Sequence, residues 1–281
     1  MGRLSPSSLP FLGAGIGYRG DLARFFRRHD ARIGFFEVMP EHVVHGAAER
    51  RARLFEHVAG KPVVTHSVSL SVGTATGADL VFARSMARIN RKLRAAWCSD
   101  HLSFTRIGGQ NIGQLTPIPY TDEALRRVVA NVKAVQAAVG LPFLLENISQ
   151  YFRYPRTDMT EPEFFREVTA QTGCGILLDV TNLRNNAANI GVKTKAYLEA
   201  FPLDQVVQLH LAGSEWIGGK LLDTHGAAIH RDVWRMADDI VQAHPVRALL
   251  IERDQTFGPL PQLAREIRRG ATTMRNAMGA A

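Results

Sequence analysis

The sequence has little cysteine and no long hydrophobic run. Its 281 residues include two cysteines, Cys98 and Cys174, which is too few for a disulfide framework. No apolar stretch approaches the roughly 18 to 20 residues of a membrane span. The segment from Met1 to Gly13 also lacks the charged-then-apolar layout of a secretory signal. We therefore expect a cytoplasmic protein with no membrane partner.

Acidic residues are outnumbered by basic ones. The chain has 26 Asp and Glu against 34 Lys and Arg, for a net charge of +8. The excess lies in short arginine stretches at residues 24–28, 50–53 and 265–269. Such charge can attract nucleic acid or an acidic peptide, but aromatic residues are not interleaved with these arginines. We interpret the stretches mainly as solvated helix faces and regard a nucleic-acid partner as unlikely.

Short apolar runs bounded by turn residues recur along the whole chain, a pattern typical of buried strands. Hydrophobic residues make up 46% of the sequence, which is ordinary for a globular protein. The predicted strands are Phe11–Ile16, Ile33–Val38, Pro62–Ser67, Ala95–Asp100, Pro142–Asn147, Gly175–Val180, Val206–Leu211 and Ala248–Glu252.

Segments with helical patterning separate most of these runs. In Thr121–Val139, Thr121 is a suitable N-cap and Gly140 a suitable stop. Glu161–Gln171 and His230–His244 have similar patterns. Eight strands alternating with helices predict a closed (β/α)8 TIM barrel. A doubly wound open sheet is the alternative, but no Gly-x-Gly-x-x-Gly follows the first strand.

The chain contains no linker, internal repeat or low-complexity segment. We therefore expect one barrel domain over residues 1–281. The arginine-rich tail predicts a closing helix from about Pro261 to Met274, with Leu263 and Ile267 packed inward.

Most of the predicted strands end in polar side chains that can bind a metal. The carboxyl ends of parallel barrel strands meet at one face, so these side chains should lie together. Burying several carboxylates side by side requires compensating positive charge, and His, Asp and Glu without Cys suit iron, manganese or zinc. The predicted metal ligands are His66, His101, Glu146, Asp179, Asn182, His210, Asp223, His225 and Glu252.

Four of these residues form a familiar subset. Glu146, Asp179, His210 and Glu252 come from the fifth to eighth strands, and their order resembles the ligand set of xylose-isomerase-like barrels. That group includes sugar epimerases and abasic-site endonucleases. Of the remaining predicted ligands, His66 and His101 would bind a second ion, and Asn182, Asp223 and His225 would bind a third.

Seven ordered motifs resemble the multinuclear non-haem iron-dependent oxidative enzymes, a family that includes MbnB and TglH. The motifs are His66–Gly73, Ser99–Phe104, Leu145–Ile148, Leu178–Asn182, Leu209–Gly213, Asp223–His225 and Ile251–Asp254. The resemblance implies a xylose-isomerase-like barrel that holds two or three iron ions, in mixed Fe(II) and Fe(III) states, with O2 as co-substrate. It also implies modification of residues, usually cysteine, in a ribosomally synthesised precursor peptide. Many members act with a small partner protein that binds the precursor's leader.

The resemblance also assigns roles to the predicted ligands. His66, His101 and Glu146 would hold one iron, with Glu146 or a neighbouring carboxylate as a bridge. Asp179, His210 and Glu252 would hold another, and Asn182, Asp223 and His225 would belong to a third position. Asp254 follows Glu252 by two residues, on the same side if the strand persists, and is our candidate catalytic proton acceptor.

Two positions depart from the family pattern. The chain has Asn189-Ile190-Gly191 where the family commonly has Asn-His-Gly with the His as a ligand, so the third position would be weak or empty. His42 follows Glu41 where Asn is common, which is either a replacement ligand or neutral drift. We favour drift. A dinuclear core is therefore the safer prediction.

Three other functions fit parts of the pattern. A divalent-metal sugar isomerase or epimerase needs only the four-residue subset and one manganese or zinc ion. An endonuclease with three zinc ions would show salt-dependent binding to abasic DNA. A non-catalytic metal or peptide binder would bind peptide without consuming oxygen.

Overall fold

The computed structural model describes residues 4–254 and 257–279, with side chains up to residue 277. Residues 1–3, 255–256 and 280–281, which the predicted domain 1–281 includes, lie outside the described residues.

Eight parallel strands form a closed barrel in which the last strand pairs with the first. This confirms the predicted TIM barrel and each of the predicted strands. Numbered in chain order with the other strands of the structure, they are β1 Gly13–Gly17, β2 Phe36–Val38, β3 Val63–His66, β4 Cys98–His101, β7 Phe143–Glu146, β8 Gly175–Asp179, β9 Val206–Leu211 and β12 Ala248–Ile251.

Helices cover the outside of the barrel. They are α1 Ala23–His29, α2 Pro40–Val44, α3 Ala48–Val58, α4 Leu80–Leu93, α5 Asp122–Val139, α6 Glu161–Thr172, α7 Val180–Ile190, α8 Thr194–Ala200, α9 Arg231–Ala243 and α10 Leu260–Gly279. As predicted for α5, the Thr121 hydroxyl accepts a hydrogen bond from the Ala124 N–H, and Gly140 ends the helix with φ of 66°. Along α10, Leu263 and Ile267 are buried.

The barrel interior is layered, with apolar side chains below polar ones. Phe35, Val64, Trp97, Leu144, Leu177 and Leu250 belong to one buried apolar cluster near the amino ends of the strands. Because side chains on one face of a strand recur every second residue, the next inward positions on five of these strands are Glu37, His66, Glu146, Asp179 and Glu252. The strand register thus places a ring of polar side chains directly above an apolar floor.

Two β-hairpins that the strand pattern did not predict extend from the carboxyl end of the barrel. The first joins β5 Phe104–Ile107 to β6 Gln110–Thr116, and the second joins β10 Ser214–Ile217 to β11 Lys220–Asp223. Each turn is a Gly-Gly pair with positive φ, 57° and 84° in the first and 58° and 76° in the second. Two-residue turns of this kind strongly favour glycine, so Gly108-Gly109 and Gly218-Gly219 were signals for both hairpins.

No helix in the described ranges is both long enough and apolar enough to cross a membrane.

A buried carboxyl group lies at the start of α6. The Glu161 side chain is 8% exposed and is surrounded by Tyr120, Tyr197 and Gln150. Burial raises the pKa of Glu161 to about 7, although hydrogen bonding from the three neighbours opposes the rise. The folded protein therefore holds this proton more tightly than the unfolded chain does.

The raised pKa predicts a specific pH dependence of stability. The contribution of Glu161 to the free energy of unfolding is fully present below its ordinary pKa of 4.5 and is lost as pH rises to about 7. We expect the parent protein to lose roughly 2 kcal/mol more than Glu161→Gln between about pH 5 and pH 8, measured by urea unfolding at each pH. Glu167→Gln, an exposed change on the same helix, should follow the parent. Parallel curves for parent and Glu161→Gln would contradict the assignment.

Candidate metal centre

The predicted ligands lie together at the carboxyl end of the barrel. His66, His101, Glu146 and Asp179 are the last residues of their strands, and Glu252 directly follows β12. A cavity of 280 Å³ is lined by all the predicted ligands except His210, which lies fully buried against Glu146 and Glu252. The sequence-based grouping of these side chains is therefore present in the structure.

The first donor group surrounds one oxygen of Glu146. Nε2 of His66 and Nε2 of His101 each lie 3.2 Å from Glu146 Oε2. The Ser99 hydroxyl, 2.8 Å from His66 Nδ1, fixes the His66 ring with Nε2 toward the carboxylate. Two donors bound to one ion at about 2.1 Å, a right angle apart, are about 3 Å from each other, so each imidazole nitrogen is spaced from Glu146 Oε2 as two ligands of one ion would be.

The second donor group surrounds the other oxygen of Glu146. His210 Nδ1 lies 3.2 Å from Glu146 Oε1 and 3.2 Å from Glu252 Oε2. Glu146 thus presents one oxygen to each of two donor groups. A carboxylate in this position can bridge two ions, which a single-ion site does not require.

The third donor group contains His225, Asp223 and the remaining oxygen of Glu252. His225 Nε2 is 2.8 Å from Asp223 Oδ2, and His225 Nδ1 is 3.6 Å from Glu252 Oε1. His225 has φ of 54°, a left-handed conformation that is uncommon for a residue with a side chain. Its N–H donates to the Gly213 carbonyl at 2.9 Å, which holds this backbone in place.

Asp179 and Asn182 already make hydrogen bonds within the protein. Asp179 Oδ1 accepts from the Asn182 N–H at 2.7 Å and caps α7. The Asn182 amide accepts from the Ser149 hydroxyl at 2.5 Å and donates to the Asn147 carbonyl at 3.2 Å. Burial, together with the carboxylates of Asp223 and Glu146, raises the pKa of Asp179 well above its ordinary value. A cation would relieve this repulsion.

Several buried atoms at the centre make no aligned hydrogen bond in the described part of the chain, although some of them lie 2.8 to 3.2 Å from an imidazole or carboxylate atom. They are Glu146 Oε2, His210 Nδ1, Asp223 Oδ1 and His225 Nε2. A buried polar atom without a partner is costly, and these atoms all belong to the donor groups. The donor set therefore fits bound metal ions.

The electrostatics of the imidazoles also favour a cation. Burial lowers the pKa of His66 to about 3, whereas for His101 burial is outweighed by Glu146 and Asp100, which raise the pKa to about 9. His101 therefore carries a proton at neutral pH, and His66 does not. Since a metal ligand must be unprotonated, metal binding here should release that proton.

Glu37 lines the cavity and contacts His210, and the ligand prediction did not include it. Its Oε2 is 3.0 Å from His210 Nε2 and accepts from Gln208 Nε2 at 2.7 Å, and Gln208 Oε1 accepts from Trp97 Nε1 at 2.7 Å. This buried chain crosses the barrel interior and turns His210 Nδ1 toward the donor groups. The sequence signal was the inward position of Glu37 at the end of the second strand.

Asp254 lies at the mouth of the cavity, and its side chain is 37% exposed. Its Oδ2 is 2.7 Å from His225 Nδ1, and its Oδ1 forms an ion pair with Arg19, which also lines the cavity. Burial would raise the pKa of Asp254, but the hydrogen bond from His225 and the charge of Arg19 lower it. The carboxylate therefore remains ionised beside the donor groups.

The two positions that depart from the family pattern are outside the cavity lining, although the pKa of His42, lowered first by partial burial, also responds to the charges of Arg19 and Asp254, which line the cavity. Ile190 ends α7, and its carbonyl accepts two hydrogen bonds from Arg153. Neither Ile190 nor His42, an exposed residue of α2, is among the described residues that line the cavity.

Removing the Glu37 carboxylate should weaken metal binding without removing a ligand. Loss of the partner that orients a metal-bound imidazole typically lowers affinity about 10- to 100-fold. We expect Glu37→Ala to show a loss of this size in a chelator competition assay. Glu37→Gln, which keeps one carbonyl acceptor, should lie between Glu37→Ala and the parent. Equal affinity of Glu37→Ala and the parent would show that Glu37 does not position His210.

Sequence comparison identifies the family. A family model described as "RiPP precursor modification enzyme MbnB/TglH/ChrH" matches residues 13–275. A UPF0276 protein of Anaeromyxobacter sp. is 36% identical over 272 residues, covering 96% of this chain and 95% of the relative. A UPF0276 protein of Chromobacterium violaceum is 37% identical over 263 residues, covering 94% and 95%.

Comparison of structures identifies the fold. D-Psicose 3-epimerase from Clostridium cellulolyticum, with D-tagatose, has a TM-score of 0.62 at 11% identity, covering 95% of this chain and 99% of that chain. Endonuclease IV from Thermus thermophilus has a TM-score of 0.55 at 15% identity, covering 96% and 100%. These similarities confirm the predicted xylose-isomerase-like barrel and, at such identities, concern the fold alone. By sequence, the chain belongs to the MbnB/TglH/ChrH family of RiPP precursor modification enzymes.

Proposed function

We propose that this protein is a multinuclear non-haem iron oxidase that uses O2 to modify residues, cysteine above all, of a ribosomally synthesised precursor peptide. The observation that carries the proposal is the position of Glu146. Its Oε2 is 3.2 Å from His66 and from His101, and its Oε1 is 3.2 Å from His210, so each oxygen faces its own imidazoles. The groups are nevertheless close, since one ligand atom each from His66, Glu146 and His210 also lies within 4.8 Å of the others. Membership of a family of peptide-modifying enzymes supports a peptide substrate.

In this proposal each ion has its own donor group. His66, His101 and Glu146 would hold one iron, and Asp179, His210 and Glu252, with Glu146 as a bridge, would hold another. Asn182, Asp223 and His225 would form a third position next to Glu252. Imidazole and carboxylate ligands without cysteine suit iron. Mixed Fe(II) and Fe(III) ions would supply the redox chemistry with O2 and would favour the thiolate form of a bound cysteine.

The protein's own side chains then position ligands and accept a proton. Ser99 and Glu37 each bond the outward nitrogen of a histidine, so that the inward nitrogen of His66 or His210 is free to bind. Asp254 is the proposed acceptor of the proton that the substrate thiol loses. It lies at the mouth of the cavity, where His225 and Arg19 keep it ionised; because the same contacts lower its pKa, it can accept a proton only from a thiol that a cation has already made acidic.

The resemblance to enzymes that act with a leader-binding protein supports a small partner for this chain as well. A single-ion sugar isomerase is less consistent with the site. One ion held by Glu146, Asp179, His210 and Glu252 would leave Glu146 Oε2 and the neighbouring His66 and His101 without a role. For the same reason we do not propose an alternative based on the structural similarity to epimerases and endonucleases.

The decisive test is the metal content of protein purified without air. We expect at least two irons per chain, some ferric and some ferrous, by elemental analysis and Mössbauer spectroscopy, with O2 consumption when a cysteine-containing precursor is supplied. Glu146→Ala should lose iron from both positions because its two oxygens face both groups. His66→Ala should lose about one iron and retain the other.

His230→Ala is the matched control, since His230 is a half-exposed histidine at the start of α9, away from the cavity. It should keep the iron content of the parent. A single manganese or zinc ion in the parent would rule out the proposal. Full iron in Glu146→Ala would show that the ligands are assigned wrongly.

A further inference from the structure

Exposed apolar side chains are concentrated beside the cavity mouth, on the segments that follow β4, β7 and β9. We call this set the apolar rim. It consists of Ile112, Tyr151, Phe152 and Trp216, which are 38%, 40%, 48% and 64% exposed. Single exposed apolar residues are common, but a cluster next to a buried polar site is typical of a binding surface.

The pairing of the second hairpin relates Trp216 to the metal centre. Ser214 is opposite Asp223, and Trp216 is opposite Leu221. Cross-strand partners lie on the same face of a two-stranded ribbon, and positions two residues apart share that face. Trp216 therefore lies on the same face as Asp223, about 7 Å further along the ribbon.

The hairpin is held firmly although Trp216 itself is exposed. The Asn189 side chain accepts from the Leu221 N–H at 2.8 Å and donates to the Leu221 carbonyl at 2.9 Å. Leu221 is 2% exposed. These contacts fix the ribbon to the end of α7, so the exposed indole is presented from an ordered element, with little conformational entropy left to lose on binding.

Tyr151 makes the rim continuous with the cavity. Its side chain lines the cavity beside Asp223 and His225, and it forms a hydrogen bond with the Asp223 backbone. Phe152 follows it on the outside. Ile112 likewise precedes Gly113, Gln114 and Leu115 of β6, which also line the cavity. A chain leaving the cavity beside Tyr151 or beside β6 therefore meets an apolar side chain.

We propose that the apolar rim binds the residues that flank the modified residue of the precursor peptide, and that the substrate is an extended segment with apolar side chains beside its cysteine. This rests on the proposed function, because it takes a peptide as the occupant of the cavity. A spacing of about 7 Å between Asp223 and Trp216 matches two residues of an extended peptide. Trp and Tyr are well suited to this role because they combine a large apolar face with a polar edge.

Intrinsic fluorescence offers a direct test, since Trp97 and Trp234 are 0% and 3% exposed while Trp216 is 64% exposed. A soluble quencher therefore acts mainly on Trp216. The probes are three short synthetic peptides of equal length and net charge. One has a central cysteine flanked by Phe and Leu, the second has Ser in place of that cysteine, and the third has the cysteine flanked by Ser and Thr.

We expect both peptides with apolar flanks to protect Trp216 from quenching, and the peptide with polar flanks to leave it unprotected. Binding of the labelled apolar peptide, followed by fluorescence anisotropy, should weaken at least about tenfold in Trp216→Ser. The matched control is Val81→Ser, which removes a side chain 70% exposed on α4, outside the rim, and should leave the affinity unchanged. Iron content should be the same in all three proteins.

Three results would overturn the proposal. Trp216 could stay equally accessible with every peptide, or the polar peptide could protect it as well as the apolar ones. Protection that grows with protein concentration and needs no peptide would assign the rim to a second copy of the chain. The serine peptide separates this proposal from the proposed function. If the protein purified without air contains no iron and the serine peptide still protects Trp216, the role of the apolar rim would be supported and the oxidase function would be wrong. If the protein contains iron and turns over a precursor while Trp216 stays unprotected, the oxidase function would be supported and the role of the rim would be wrong.

Discussion

The structure depends on how the barrel stabilises several carboxylates buried at one end. Glu146 is 2% exposed and lies against three imidazoles, and Glu252 lies between two of the donor groups. Burial alone would raise the pKa of Glu146, and the histidines hold it below its ordinary value. The histidines offset part of the negative charge, but atoms such as Glu146 Oε2 and Asp223 Oδ1 make no aligned hydrogen bond in the described part of the chain. Bound cations would balance the remaining negative charge and would provide partners for these atoms. The proposed chemistry depends on where those cations would lie.

The rest of the barrel serves this arrangement. The apolar floor excludes water below the site, and the period-two alternation of the strands lifts the polar side chains to one level. Ser99, Glu37 and Gln208 then fix ring orientation from within the barrel. The hairpin that supplies Asp223 also supplies Trp216, so the same element that completes the donor groups forms part of the surface that would contact a peptide.

Much of this was predictable because its causes are local. Apolar runs ending in His, Asp or Glu define both the strands and the ligands, since parallel strands must bring those ends together. The hairpins had a local signal in their Gly-Gly turns that the strand pattern alone did not use. The inward position of Glu37 had a local signal at the end of the second strand, but its contact with His210 had none. The two residues are 173 apart in sequence, and their contact depends on strand register and on side-chain orientation that only the folded barrel defines. Likewise, the sequence showed that Ile190 replaces a histidine but not that it lies away from the cavity lining.

The most direct test of the account is a crystal structure of protein prepared without air, with anomalous scattering recorded at the iron absorption edge. The account predicts at least two iron peaks in the cavity, one in contact with His66, His101 and Glu146 and the next in contact with Glu146, His210 and Glu252. A single peak, or a cavity whose metal gives no anomalous signal at the iron edge, would contradict the claim that Glu146 joins two irons.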